Sequence, residues 1–129
     1  MAYQISWSED YVVVSLTDEV DGDQILALVE SLASDPRFDD LRKRIYDCRQ
    51  IEAIAFTANE LKAYAHIDNA AYLSNPNAHV AFIAPDPQVK QKLELYGREL
   101  MHKNWKLAVF NSLEDSLGWQ PNAKHCETA

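Results

Sequence analysis

The segment from residue 42 to residue 61 constrains the fold of this chain most, because a strand pattern leads there directly into a helix start. Thr57 can cap the first helical turn, and Glu60, three residues later, can bond back to the Thr57 amide as a capping box. Phe56 can pack on Leu61 as a hydrophobic staple. A strand that feeds a helix is the repeating unit of α/β folds, whose binding crevice lies at the carboxyl ends of the strands.

The other segments extend this unit into a mixed sheet. Two alternating segments near the start of the chain predict an antiparallel hairpin, and the later strands are separated by helices, as in parallel β-α units. The predicted order is β-β-α-β-α-β-α-β-α, an α/β fold with a five-stranded mixed sheet and about four helices mainly on one face. The predicted strands are 2–8, 11–16, 42–48, 79–84 and 106–110, and the predicted helix caps are Asp21, Thr57, Asp86 and Ser112.

The composition predicts one soluble domain over residues 1–120, followed by a polar, frayed tail over 121–129. Apolar residues make up 47% of the 129 residues, enough for a core without disulfides or metals. Cys48 and Cys126 lie far apart, which disfavours a disulfide framework and favours a reducing compartment. The N-terminus lacks the pattern of a signal peptide and no apolar stretch approaches bilayer length, so we expect a cytoplasmic protein.

The charge is negative and unevenly distributed. The formal net charge of -8 argues against nucleic acid as a partner. Residues 1–40 contain ten acidic side chains and one basic one, Arg37. This asymmetry predicts either an acidic face that orients a basic protein partner or a surface that serves solubility. The acidic residues for which we expect the first role are Asp18, Glu19, Asp21 and Asp23.

Four segments carry a family resemblance that covers most of the chain, from Tyr3 to Trp119. They are the opening hairpin, the Ser-Asp-Pro-Arg-Phe sequence at 34–38, the Tyr-Asp-Cys sequence at 46–48 and residues 110–119. In order and spacing they resemble the STAS/SEC14-like proteins, relatives of the bacterial anti-sigma-factor antagonists. The resemblance implies a small mixed sheet and a non-enzymatic role in binding protein partners or an apolar ligand.

Two residues near the third strand are candidates for a partner contact or a switch. The family carries a phosphorylatable Ser in an Asp-Ser-Gly turn at the start of the helix after the third strand. Residues 55–59 lack both the Ser and the Gly, so Thr57 offers the only hydroxyl there, as a cap or as a phosphorylation site. Asp47 is predicted to end the strand, where it either contacts a ligand or bonds the backbone amides of the following turn.

A seam of aromatic residues predicts either core or a ligand pocket. Tyr64 and Tyr72 lie on the sheet-facing stripe of the second helix, and Tyr96 lies on that of the third. Together with Leu61 and Leu100 they could line an apolar pocket between these helices, with phenol hydroxyls to hold a polar end.

No residue pattern predicts catalysis, a metal site or a cofactor. His66 and Asp68 are two residues apart on a helix, so they face different directions. No His has a Cys, Asp or Glu at metal-ligand spacing, and Cys48 has no recognisable base nearby. Arg and Lys residues concentrate between 37 and 49, which predicts a charge-balanced edge strand.

The leading functional hypothesis is therefore a non-enzymatic domain that holds a lipid-like, apolar or amphipathic small molecule between helices. The alternative is a regulator of protein interactions of the anti-sigma-factor-antagonist type, without the usual phosphoserine motif. A peripheral membrane contact and a homodimer are left open as further interactions.

Overall fold

The structure, a computed structural model, describes residues 3–55, 57–100 and 104–121, apart from the side chains of residues 53–55, 58, 61, 96, 99 and 100. The five strands and four α-helices alternate as the sequence predicts, and a short 3₁₀ helix at Pro36–Asp40 follows α1. The strands are β1 (Tyr3–Trp7), β2 (Tyr11–Asp21), β3 (Lys43–Ala55), β4 (His79–Ile83) and β5 (Leu107–Phe110), and the helices are α1 (Gly22–Ser34), α2 (Ala58–Ser74), α3 (Pro87–Leu100) and α4 (Leu113–Gly118).

The predicted five-stranded mixed sheet is confirmed. The strands lie side by side in chain order, β1-β2-β3-β4-β5, with β1 antiparallel to β2 and all other pairs parallel. Each parallel neighbour is reached through one helix, as expected for crossovers that wind in one direction. The carboxyl ends of β2 to β5 therefore share one end of the sheet.

The core has two unequal parts, one on each face of the sheet. The larger part joins α1, α2 and α3 to the sheet through residues such as Leu28, Ala71 and Leu93. On the other face a smaller cluster includes Ile83 of β4 and Leu113 at the start of α4. Strand β4 contributes to both clusters and is therefore covered on both faces.

Strands β2 and β3 are longer than the sequence predicted. Their pairing continues to Asp21 and Ala55, although β3 pairs with β4 only from Lys43 to Asp47. A two-stranded parallel ribbon therefore extends past the carboxyl end of β4. Two register shifts interrupt the ribbon, and Asp18, next to the second shift, has a φ of 59°. Asp tolerates this left-handed conformation better than most residues, which explains how the strand continues through a segment that resembles a turn.

The predicted helix starts are confirmed where the structure describes them. The Asp21 side chain accepts a hydrogen bond from the Gln24 amide at 2.8 Å, and Gln24 bonds back to the Asp21 amide at 3.1 Å. Ser112 caps α4 through the Asp115 amide at 3.2 Å. Asp86, just before α3, accepts from the Gln88 amide at 2.8 Å. The predicted staple between Phe56 and Leu61 lies outside the described residues.

Candidate functional site

The end of the β2–β3 ribbon and the helix starts next to it carry six carboxylates from four elements, a group that we name the acidic end. Strand β2 passes into α1 without an intervening loop, and β3 reaches α2 through two residues, so both helices begin at the ribbon's tip. Five of the six residues are exposed. The members are Asp18, Glu19, Asp21, Asp23, Glu52 and Glu60.

The start of α2 is fixed by a reciprocal capping box, as the sequence predicted. The Thr57 hydroxyl accepts from the Glu60 amide at 3.2 Å, and the Glu60 carboxylate accepts from the Thr57 amide at 2.8 Å. These bonds lower the pKa of Glu60. The Glu60 carboxylate occupies the positive end of the α2 dipole, next to the Thr57 hydroxyl, where a phosphate on Thr57 would meet a like charge.

Glu60 also connects the starts of α1 and α2. A hydrogen bond with the Glu60 carboxylate and the repulsion between the two groups raise the pKa of Asp23. Gly22, the first residue of α1, lies so close to the Glu60 carboxyl group that a Cβ there would collide with it. The carboxyl groups of Asp23 and Glu60 therefore crowd each other where the two helices begin.

The prediction that Asp47 ends its strand is wrong. Strand β3 runs on to Ala55 because its pairing with β2 continues beyond the last β4 partner. Asp47 does accept from a backbone amide, that of Arg49, at 3.2 Å, and the Arg49 guanidinium binds it with two further bonds of 2.9 and 2.7 Å. These bonds lower the pKa of Asp47. Asp47 is thus neutralised within its own strand.

The predicted edge strand is also wrong, because β3 is the middle strand of the sheet. Two of its basic side chains, Lys43 and Arg44, are buried on opposite faces. Lys43 Nζ donates to the carbonyl oxygens of Ser116, Leu117 and Trp119 at 2.8, 2.6 and 2.8 Å. It therefore neutralises the carboxyl end of α4 and fixes that helix to the sheet.

The seam of aromatic residues is only partly described. Tyr64 of α2 is partly buried near Arg44 and Tyr46 of β3, and its burial raises the pKa of the phenol well above the usual value. Tyr72 packs edge-on against Trp105, with ring centroids 5.5 Å apart. The side chains of Leu61, Tyr96 and Leu100 lie outside the described residues. A pocket lined by these five residues stays a prediction.

Two described cavities lie away from that seam. One of about 470 Å³ is at the amino end of the sheet, next to α4, and another of about 240 Å³ lies between α3 and β5. The larger is lined by Asp10, Tyr11, Arg42, Lys43, Leu117, Trp119, Gln120 and Pro121. Neither cavity borders the acidic end.

Sequence reasoning missed a buried ion pair under α2. Arg44 of β3 and Asp68 of α2 are 1% and 0% exposed, and their charged groups approach to 3.8 Å. The sequence did contain a signal for it. Asp68 falls on the sheet-facing stripe of the second helix, and Arg44 alternates with Tyr46 and Cys48 on one face of β3.

The described residues include no group of three or more His, Cys, Asp and Glu side chains placed to hold a metal ion. The same residues include no helix that is both long and apolar enough to cross a bilayer.

Comparison with solved structures identifies the fold. The chain superposes on the anti-sigma factor antagonist SpoIIAA in its unphosphorylated form with a TM-score of 0.59 and 9% identity, covering 90% of this chain and 94% of that one. The phosphorylated form of SpoIIAA from Bacillus gives 0.53 and 14%, covering 90% and 96%. An uncharacterized protein from Shewanella loihica with a SpoIIAA-like fold gives 0.54 and 16%, covering 92% of each chain.

Sequence comparison adds no closer relative, since no family model and no curated protein matches the chain. The structural likenesses support the STAS side of the predicted resemblance and give no support to its SEC14-like side. At identities of 9% to 16% they establish the fold alone. The chain therefore has the STAS-type fold of the anti-sigma-factor antagonist SpoIIAA.

Proposed function

We propose that this chain is a non-catalytic regulatory domain that binds a basic surface of a protein partner through the acidic end. The observation that carries the proposal is the convergence of six carboxylates where β2, β3, α1 and α2 meet. The likeness to anti-sigma-factor antagonists supports a partner-binding role over the lipid-holding role, which was the leading hypothesis from sequence.

The charges of the acidic end are not balanced within the described part of the chain. Among the described residues, no Lys or Arg side chain forms an ion pair with a member of the acidic end. Arg49, three residues before Glu52, is bonded to Asp47 at 2.7 Å, and Lys62, two residues after Glu60, is exposed. A hydrogen bond with Glu60 and the repulsion between the two carboxyl groups raise the pKa of Asp23. Lys or Arg side chains of a partner would relieve this repulsion and would also accelerate association.

Non-catalytic function agrees with the state of the described nucleophilic and basic groups. Burial raises the pKa of the Cys48 thiol to about 12, so it is not a nucleophile at neutral pH. His79 Nδ1 accepts a hydrogen bond from the Lys106 amide at 2.9 Å, so this nitrogen already links β4 to the residue before β5.

Charge reversal tests the proposal. The variant Glu19→Lys/Asp23→Lys/Glu52→Lys reverses three exposed carboxylates of the acidic end and leaves both helix caps, Asp21 and Thr57, in place. The wild-type and variant proteins are used as baits in a cell lysate, and the captured proteins are quantified by mass spectrometry. A partner should be retained by the wild type at low salt, be released as salt increases, and be lost from the variant.

The matched control is Glu30→Lys/Asp40→Lys/Glu114→Lys, which makes the same change in net charge at exposed positions outside the acidic end. It should retain the partner. If the acidic-end variant captures the same proteins as the wild type, or if both variants lose them equally, then the acidic end is not the binding surface.

A further inference from the structure

The interface between α2 and the sheet contains a buried cluster of polar groups. Arg44 of β3 and Asp68 of α2 are almost completely buried, and the phenols of Tyr46 and Tyr64 interact electrostatically with both of them. The Arg44 guanidinium stacks over the Trp105 ring, 4.1 Å from its centroid. Helix α2, which begins at the acidic end, therefore packs on the sheet partly through buried charged groups.

The hydrogen bonding of Arg44 is incomplete. Its Nε donates to the Ala78 carbonyl at 3.1 Å, but Nη1 lies 3.4 Å from the Tyr46 hydroxyl and 3.8 Å from Asp68 Oδ1. Nη2 has no hydrogen-bond partner among the described residues. A buried ion pair recovers its desolvation cost only when the geometry is close and the remaining donors are satisfied. This pair therefore contributes less to holding α2 than a closely bonded pair with a fully bonded guanidinium would.

Helices α1 and α2 differ in how much apolar surface they bury. Three aliphatic side chains of α1 are buried, those of Leu28, Val29 and Leu32. Among the described side chains of α2, the buried ones are those of Asp68 and Ala71. Helix stability in a protein comes mainly from burying an apolar face, so on the described side chains α2 has fewer fully buried aliphatic groups to hold it than α1 has.

We propose that α2 is a conformational switch, an element that detaches from the sheet as a unit before the rest of the domain unfolds. Elements that move in regulation come from the low-stability parts of a fold. Because the acidic end includes the first turn of α2, a partner bound there would favour either the seated or the detached state. The detachment itself does not depend on the proposed function or on any partner.

Native-state hydrogen exchange of the free wild-type protein tests this proposal. The amides of residues 62–74 report on α2, and those of 44–47 and 80–83 report on the central strands. The α2 amides should exchange at least about tenfold faster than the strand amides, with little dependence on low denaturant concentrations, as local opening requires. Equal protection and equal denaturant dependence in α2 and in the strands would overturn the proposal.

Replacing the ion pair tests its physical basis. Arg44→Met/Asp68→Leu substitutes apolar side chains of similar size, so exchange in α2 should slow by about tenfold or more. The control Asp47→Asn/Arg49→Gln removes an ion pair from the same strand and should leave α2 exchange within about twofold of the wild type. Faster exchange in the first variant, or its failure to fold, would show that the pair fastens α2.

These measurements use the protein without a partner, so they separate the two proposals. A uniformly protected α2 would leave the acidic end as a rigid binding surface. The opposite combination is also informative. If α2 exchanges fast and the charge-reversed variant still captures the same proteins as the wild type, the conformational switch is supported and binding through the acidic end is excluded.

Discussion

At the scale of single residues, the basic side chains of β3 have three different roles. Lys43 binds the last carbonyls of α4 with three bonds of 2.6 to 2.8 Å, Arg44 lies buried under α2, and Arg49 neutralises Asp47. The sequence predicted one common role for them, because a cluster of charge is typical of an exposed edge. Only the strand order, which places β3 in the middle of the sheet, separates these roles.

The role of Lys43 gives a prediction about stability. Lys43→Met should keep the aliphatic packing but remove the charged donor to the carbonyls of Leu117 and Trp119. The Ser116 carbonyl would still accept from the Trp119 amide at 3.3 Å. Hydrogen bonds to charged groups contribute about 1.5–3 kcal/mol each, and partial access of water offsets part of the loss, so the free energy of unfolding should fall by about 2 kcal/mol. Urea unfolding monitored by tryptophan fluorescence measures it.

The exposed Lys62 on α2 provides the control. Lys62→Met should change the free energy of unfolding by less than about 0.5 kcal/mol. An unfolding free energy for Lys43→Met that equals that of Lys62→Met would mean that the three bonds to α4 add nothing to stability.

At the scale of secondary-structure elements, the sequence predicted helix starts better than strand ends. Helix starts depend on side chains within one turn, so Asp21 with Gln24, and Thr57 with Glu60, are readable locally. Strand ends depend on the neighbouring strand. The second half of β3 has no pairing to β4 and is held by β2 through two register shifts, which no local pattern reveals.

The start of α2 gives a prediction at this scale. Thr57→Ala removes the oxygen that accepts the Glu60 amide, and loss of such a cap costs about 1 kcal/mol. Thr57→Ser keeps the oxygen and should keep the stability. Thermal unfolding of the three proteins measures the effect.

If the alanine and serine variants are equally stable, the Thr57 hydroxyl does not act as a cap. Phosphorylation would then be the better explanation of Thr57, despite the negative charge of Glu60 beside it.

At the scale of the whole molecule, the fold brings four of the ten acidic residues of the N-terminal third to one end, where Glu52 and Glu60 join them. Residues 1–40 hold ten of the 20 acidic side chains of the chain, and Asp18 to Asp23 reach the same tip as Glu52 and Glu60 because β2 and β3 are parallel. The sequence predicted the asymmetry of charge and four members of the acidic end, but not their position at the end of the β2–β3 ribbon. The contribution of Glu52 and Glu60 required the register of the ribbon and the contact between the starts of α1 and α2.

The buried ion pair is also a property of the whole molecule. Arg44 and Asp68 are separated by a complete strand-to-helix connection, and they meet because α2 crosses back over β3. A pattern along the chain can place each residue on an inward face, but it cannot pair them.

The most direct test of whether the acidic end binds a partner is a hydrogen-exchange footprint of the complex between this domain and a captured partner. If the acidic end is the binding surface, added partner should slow exchange at residues 18–23, 50–55 and 57–62 and leave the amino end of the sheet, around residues 42–43 and 117–121, unchanged. Protection confined to that amino end, next to the larger cavity, would contradict the central claim that this domain meets its partner through its carboxylates.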